Sequence, residues 1–504
     1  MTSANSSDDV AHVVVRVDDD DGMWTRKARA SASEGDESVG VFDDDVEAHE
    51  LGRRTRVEAC VREILHGLGE NVQREGLLDT PKRVAKALTF AMRGYGTSAT
   101  AALGTALFHE ENLASANASA MTNADALANG MHDIVLVRDI PVFSTCAKTF
   151  MPFYGVIHVG YVPKDGVIVG LSKLARVAEV YARRLQTPNA LTMSVAQALH
   201  DVASPLGVGV SFTGMQLGPF APKKLEGHAS TGCFATRNSV WWQEFEAMVT
   251  LGGEPSELSR GVWGEMCGVC DDGLNVDAAF ATNASKTSGA EDAVDDVALQ
   301  AANYVDEEVY NGALKLLHTL ELSERVRDAT DGKMTAADTA RRFASLLAAM
   351  RSGNDVPFAC IEESAHEDAK SAAPSSAGEL CVMNDLHMST VCEHHLLPFH
   401  GTVSVSYCAS GTFAPLSRGT LQALVSRHSR RLQVQERLTR DVAEEVYALT
   451  GGVGVMVAAR AAHLCMVSRG VEKPGSSTCT VTKLGTFAND PALRRRVWQR
   501  LCVK

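Results

Sequence analysis

The sequence predicts an α+β protein made of two tandem copies of one strand-and-helix module. Three observations carry that prediction. A chain of 504 residues exceeds what a single hydrophobic core serves. Strand-like alternation and helix-like periodicity succeed one another along it, neither dominating. The order of these patterns occurs once before residue 250 and again after residue 300, the mark of an internal duplication.

The first residues hold the runs DDDD and DDD with little periodic apolar content, so an acidic disordered tail is expected over 1–50. Helical periodicity begins at Val57. VEACVREILHGLGENVQREGLLDTPKRVAKALTFAMRGY reads as two amphipathic stretches, the second opening at Asp79-Thr80-Pro81 with an N-cap and a first-turn proline. Residues 109–130, rich in Ala, Asn and Ser, read as a loop. Alternating strands follow in DIVLVRDIPVF and GVIHVGYVP, then the helix LSKLARVAEVYARRL, a second helix through Ala196 to Val202, and the strand GVGVSF.

An acidic segment with Gly and Ala interrupts this pattern, which sets a first module over 51–250, a linker over 251–298 and a second module over 299–504. In the second module the order returns. YVDEEVYNGALKLLHTL and DTARRFASLLAAM read as helices, 363–379 as a polar loop, CVMNDLHMSTV and GTVSVSY as strands, LQALVSRHSRRL as a helix and GVGVMV as the closing strand. In places the match is residue by residue: DTPKRVAK with DTARRFAS, 139–146 with 385–392, and YARRLQ with HSRRLQ.

Composition excludes several classes. A net charge of -14 argues against sequence-independent nucleic-acid binding, which needs a broad basic face. No run approaches the roughly 20 apolar residues of a membrane span, and the Asp-rich start has neither a secretory nor a transit-peptide pattern, so a cytoplasmic protein is expected. Twelve cysteines are too sparse for a disulfide scaffold and leave some as metal-ligand candidates. The Cys267-x-x-Cys270 pair in the linker is a lone redox or zinc motif with no second pair nearby.

The chemistry concentrates in the second module. STVCEHHLLPFHG over 389–401 shares its frame with FSTCAKTFMPFYG over 143–155, which lacks the histidines. In CEHH, Cys392 and His395 stand three apart, a spacing that lets a turn aim both at one metal ion. Cys465 in AAHLCMVSRGV offers a third ligand, on a segment read as a strand whose alternation puts His463 and Cys465 on one face. Two thiolates and an imidazole leave a fourth tetrahedral position for water, as catalytic rather than structural zinc requires. His394 and His463 would flank the ion as proton-transfer groups. Gln435-Glu436 in RRLQVQERLT supplies an acceptor carboxylate suited to a guanine edge, whose N1–H and exocyclic amine are adjacent donors, although an isolated Gln-Glu pair on a helix has no such meaning by itself; Arg469 could hold an anion. The competing reading makes Cys392 and Cys465 core thiols and the histidines ordinary surface groups.

CEHHLLPFHG, RRLQVQERLT, HLCMVSRGV and the closing LGTFANDP resemble the GTP cyclohydrolase I family, and the chain is similar to its plant and algal two-module form over nearly its whole folded length. The resemblance implies tandem tunnelling-fold (T-fold) modules, antiparallel sheets backed by helices and joined around a tunnel in a homo-oligomer. It implies zinc-dependent opening of the guanine imidazole ring of GTP, formate release and reclosure to 7,8-dihydroneopterin triphosphate, the first step of pterin and tetrahydrofolate synthesis. In its terms Cys392, His395 and Cys465 hold Zn2+, His463 is the acid/base at the five-membered ring, His394 assists at the ribose, and Gln435 and Glu436 grip guanine.

The family also uses a Ser-Lys followed by Arg on its long helix to hold triphosphate. The second module has Gly419-Thr420 and Ala423 there, and Ser345 where a lysine belongs, although Arg342 is kept. The first module keeps the whole set, Ser172, Lys173, Arg176, Arg83 and Lys86, while Lys148-Thr149 and Pro188-Asn189 replace the histidines and the Gln-Glu pair. Each basic residue taken singly reads as a solvated surface charge. Jointly the losses are complementary, so a composite site between the two kinds of module is expected, within one chain or between chains. Two rivals stay open: an inactive GTP- or pterin-binding regulatory scaffold, and a related tunnel-fold enzyme acting on another pterin or deazaguanine.

Overall fold

The structure, a computed structural model of the chain, describes residues 43–104, 106–110, 133–217, 222–236, 239–251, 306–371, 378–408, 410, 414–468 and 476–502. Most of the expected tail, most of the 109–130 loop, the linker from 252 onward with Cys267 and Cys270, and Arg469 lie outside the described residues. The contacts below fall within 49–504, which form one unit.

The first module runs α1 (Asp43–Gly67), α2 (Glu75–Leu78), α3 (Thr80–Ala91), α4 (Ala99–Leu103), β1 (Leu107–His109), β2 (Val135–Cys146), β3 (Pro152–Val162), β4 (Val167–Val169), α5 (Leu171–Ala182), β5 (Leu185–Gln186), α6 (Pro188–Ala203), β6 (Gly207–Leu217), β7 (Pro222–Gly232) and α7 (Val240–Thr250). The second runs α8 (Glu307–Thr319), α9 (Ser323–Ala329), α10 (Ala336–Arg351), α11 (Phe358–Ser371), β8 (Leu380–Cys392), β9 (Pro398–Cys408), α12 (Arg418–Ser429), β10 (Leu432–Gln433), α13 (Gln435–Leu449), β11 (Gly454–His463), α14 (Leu464–Val467), β12 (Thr478–Gly485), α15 (Thr486–Asn489) and α16 (Pro491–Cys502).

Each module is a T-fold sheet of five strands, ordered β5-β2-β3-β6-β7 in the first and β10-β8-β9-β11-β12 in the second. Four strands are antiparallel, and the two-residue β5 and β10 pair parallel with β2 and β8, so the sheets are mixed where purely antiparallel ones were expected. Helices α5 and α6 back the first sheet because Leu174, Val177, Leu191, Val195 and Leu199 recur at helical spacing against Ile157, Val159, Val208 and Phe212. Leu421, Leu424, Leu438, Val442 and Val446 do the same for the second sheet. Each such side chain removed from water contributes about 1.5–3 kcal/mol.

The duplication extends to backbone irregularities. Both second-from-edge strands bulge, between Val137 and Ile140 and between Met383 and Leu386, each with an aspartate at positive φ, Asp139 at 58° and Asp385 at 56°. In both modules a tyrosine hydroxyl of the next strand takes a backbone N–H at 2.7 Å, Tyr161 from Val169 and Tyr407 from Leu416.

The modules share a core in which α1 and α3 lie against α8 and α10, joining Val61, Ile64 and Val84 to Leu316, Leu317 and Phe343. Gly312 permits that approach, since a Cβ there would stand 2.9 Å from the Ile64 side chain. Two reciprocal contacts mark a pseudo-two-fold relation. The Thr80 hydroxyl donates to the Glu393 carbonyl at 2.7 Å, and its counterpart Thr339 donates to the Ala147 carbonyl at 2.7 Å. Tyr154 and His400, equivalent positions in the two strand frames, meet each other at 2.7 Å. Burial pushes His400 down to about 3, so the imidazole there is neutral.

Two local expectations are corrected. Residues 363–371, read as a polar loop, continue α11, because buried Ile361 anchors the helix and a Glu367–Lys370 ion pair lies along its last turn. Asp79 does precede α3 and Pro81 stands in its first turn, but the aspartate makes no capping bond and pairs instead with Arg83 at 3.3 Å.

Helices α12 and α13 are tied by a buried polar network that leads toward the CEHH turn. His428, 3% exposed, has Nε2 2.8 Å from Glu445 and Nδ1 3.6 Å from Asp441, and Arg427 also bonds Glu445. Gln433 donates to Asp441 at 3.3 Å, while its own carbonyl receives the N–H of Glu393 at 3.1 Å. Burial alone would depress the His428 pKa, and Arg431 also opposes the charge, but the two carboxylates outweigh both and raise it. A raised histidine stabilises the fold fully below its unfolded value of about 6.5, and that contribution fades as pH climbs through the folded value. His428→Gln should therefore cost roughly 1.5–3 kcal/mol at pH 6 and less at higher pH. Thermal melts across pH 5.5–9 check this; a gap between variant and parent that widens with pH contradicts it.

Candidate functional site

The site is built on one turn. β8 ends at Cys392, and the chain reverses through 392–397 with Cys392 N–H donating to Leu397 at 2.9 Å and Leu396 N–H donating to Cys392 at 2.9 Å. Leu396 takes φ +52°, a conformation that bends the backbone back tightly. Three residues after the first cysteine, the turn aims His395 inward beside it.

Cys465 arrives from the other side. The expected strand stops at His463, and Cys465 sits instead on α14, a single turn closed by Ser468 N–H to Leu464 at 2.9 Å. The helical turn, in place of strand alternation, carries Cys465 back toward Cys392. One ligand atom each from Cys392, His395 and Cys465 lie within 4.8 Å of one another. No other such group of three metal-ligating side chains occurs among the described residues.

This donor set fits a thiophilic four-coordinate ion such as zinc, which takes thiolates at about 2.3 Å and imidazole nitrogen at about 2.0–2.1 Å. The neighbouring Cys465 pulls the Cys392 thiol far below its ordinary range, with His395 and His463 assisting, against the upward push of burial. The cluster thus favours the thiolate form that a metal requires.

His463, at the end of β11, stacks on Phe399 with ring centres 4.3 Å apart and 9° between planes. Its Nε2 lies 2.8 Å from Gln435 Oε1. The Gln435 amide is already committed as a donor to the carbonyls of Ala459 at 3.0 Å and Thr478 at 2.9 Å. Its Oε1 must therefore accept, so His463 Nε2 carries the hydrogen of that bond. Gln435, expected on guanine, is 1% exposed and occupied in orienting His463, while Glu436 beside it is exposed. His394 is 41% exposed at its side chain, with Nε2 4.0 Å from Glu393.

The residues expected to hold phosphate lie in the first module. Arg83 is half-buried and Lys86 exposed on α3, the helix whose Thr80 grips the turn at Glu393. Ser172 and Arg176 are exposed and Lys173 half-buried near the start of α5, with Lys173 Nζ 3.4 Å from the Ala102 carbonyl. At the far end of α5, buried Arg183 donates to the Ser468 carbonyl at 2.7 Å, which ties the first module to the segment carrying Cys465. Where the first module would have its own metal turn, Gln216 donates to Thr149 at 2.9 Å.

Sequence reasoning passed over Glu393, although it stands inside the CEHH motif. Its side chain is 4% exposed and is held by Arg74 at 2.5 Å and Arg437 at 2.6 Å. Burial pushes this carboxyl up, but the two guanidiniums outweigh it and hold it below the usual range. An acid flanked by metal-site residues was the available signal; its basic partners lie far away in sequence.

No helix among the described residues is long and apolar enough to cross a membrane. The family model for GTP cyclohydrolase I matches residues 57–218 and 322–501. GTP cyclohydrolase 1 of Solanum lycopersicum is 31% identical over 476 residues, 90% of this chain and 94% of that protein. That of Arabidopsis thaliana is 31% identical over 455 residues, 87% of this chain and 88% of its own length. GTP cyclohydrolase 1 of Saccharomyces cerevisiae is 42% identical over 168 residues, 33% of this chain and 61% of the yeast protein. With both modules matched by the family and the plant proteins similar nearly end to end, the chain belongs to the GTP cyclohydrolase I family of enzymes, in a two-module form.

Proposed function

We propose that the chain is a zinc-dependent GTP cyclohydrolase I that converts GTP to formate and 7,8-dihydroneopterin triphosphate at a site composed from both kinds of module. The observation that carries this reading is the meeting of Cys392, His395 and Cys465 beside a turn that the first module's α3 holds by its Thr80 hydroxyl. When bound, the ion supplies a Lewis acid and a water acidified toward neutral pH. On this reading Glu436 accepts the N1–H and amino group of guanine, with Gln435 behind it. His463, its Nε2–H fixed on Gln435, gives a proton from Nδ1 to the purine five-membered ring and makes C8 electrophilic. His394 and Ser172 serve at the ribose during opening and reclosure.

Lys173, Arg176, Arg83, Lys86 and Arg469 neutralise the triphosphate and hold it in register, which contributes orientation more than bond chemistry. Arg83 follows Thr80 by one helical turn, so part of the clamp belongs to the helix docked on the metal turn of its own chain. Among the described residues no further strand pairs with the outermost strands β7 and β12, which supports a homo-oligomer in which sheets continue from chain to chain. We further propose that it works in the cytoplasm, with modules bounded near 51–250 and 299–504.

The test is to incubate the intact chain with GTP, oxidise, and measure fluorescent neopterin phosphate and formate. Equal amounts are expected; bound GTP and metal without either product would make the chain a binding scaffold. Because Gln216 and Thr149 fill the first module's turn, elemental analysis should find about one tightly bound zinc per chain rather than two. Lys173→Ala should lower kcat/KM by roughly 10²-fold while metal content stays the same. Parental kinetics in that variant would sink the composite site.

A further inference from the structure

We infer that Arg74, in the first module, is a positioning residue for the metal centre of the second: acting through Glu393, it holds the turn on which Cys392 and His395 stand. This rests on the reading of Cys392, His395 and Cys465 as the metal ligands.

The N–H, the carbonyl and one carboxylate oxygen of Glu393 are all engaged. Its N–H goes to Gln433 at 3.1 Å, its carbonyl takes the Thr80 hydroxyl at 2.7 Å, and one carboxylate oxygen takes both Arg74 Nη1 at 2.5 Å and Arg437 Nη2 at 2.6 Å. The other carboxylate oxygen faces Gly76, where an added Cβ would stand 2.2 Å away, so the Arg74 loop is seated directly on the acid. Arg437 is braced within its own module by Gln433 Oε1 at 2.6 Å and the Leu432 carbonyl at 2.9 Å. Of the two guanidiniums, Arg74 is the one that crosses between modules. Removing it leaves a buried carboxylate short of one counter-charge, and the turn must shift to let water reach it.

The duplicated turn supplies the comparison. Over 146–151 it closes with the same bonds, Cys146 N–H to Met151 at 2.9 Å and Phe150 N–H to Cys146 at 2.8 Å, and the same helix hydroxyl, Thr339, caps it. Ala147 stands there in place of Glu393, and exposed Lys333 in place of Arg74. The turn therefore folds without an ionic clamp, and the clamp accompanies only the copy that carries the ligands.

The experiment measures zinc affinity of the full chain by chelator competition, together with the visible absorption of the cobalt-substituted protein. Arg74→Ala should weaken zinc binding roughly 10–100-fold and change the cobalt bands. Arg74→Lys should recover most of the affinity, and Glu393→Gln, which keeps the shape, should fall between parent and Arg74→Ala. Thr339→Val removes the matching inter-module bond at the other turn and should lower Tm with zinc affinity unchanged. Unaltered affinity and cobalt bands in Arg74→Ala, or an equal loss in Thr339→Val, overturns the inference. If Cys465→Ser binds zinc as tightly as the parent, the ligand assignment itself is wrong.

Discussion

Much of this structure depends on one kind of contact made twice: a threonine hydroxyl at the start of a helix in one module, donated to the first carbonyl after the cysteine in the turn of the other. Thr80 reaches Glu393 and Thr339 reaches Ala147, each at 2.7 Å. A buried carbonyl left without that donor would forfeit about 1–3 kcal/mol, so the modules are held in one register. That register lays α1 and α3 over α8 and α10, sets Tyr154 against His400, and brings α3 with its arginine and lysine to the metal-site turn. A composite site needs such a constraint, because ligands on one module and charges on the other are useful only at fixed separation.

The symmetric contact is overlaid by asymmetric chemistry. Around the second module's turn the Glu393, Arg74 and Arg437 cluster continues through Gln433 to Asp441, His428 and Glu445. The first module has Ala147 and Tyr181 at the places of Glu393 and His428, and Thr149 with Gln216 closes its turn without charge. Charged groups are expensive to bury and gain little for a turn that folds equally well without them. Their restriction to the ligand-bearing copy fits a role in positioning rather than folding.

Local patterns made the repeats legible: period-two strands, helical runs, and the paired motifs DTPKR with DTARR and CEHH with CAKT located both modules and three residues that meet as a metal group. What sequence could not supply was partnership over distance. Glu393 and Arg74 are 319 positions apart, and Arg183 and the Ser468 carbonyl 285, so neither pairing has a local signature. AAHLC alternates acceptably as a strand, so sequence alone does not show the helical turn at α14 that sets the direction of the Cys465 sulfur. The partners of Gln435, two backbone carbonyls and an imidazole, lie 24, 43 and 28 positions away and have no local signature either.

The proposed division of labour has a counterpart on the opposite side. In the second module Thr420 occupies the place of Lys173, and its hydroxyl donates to Asp368 at 2.7 Å. The same carboxylate accepts the Ser417 N–H at 2.9 Å, ahead of the first turn of α12. An anion seeking that helix start would meet a negative charge already using the donor it needs. Thus α12 not only lacks the lysine; α11, a helix where a loop was expected, brings in a group of the opposite sign. On the proposed reading, a triphosphate is turned away from the second module's own helix and drawn to the first module's, just as the first module's turn has Thr149, bonded to Gln216, at the place of the ligand His395. Restoring activity to either module alone would then require removing an occupant as well as replacing a missing group.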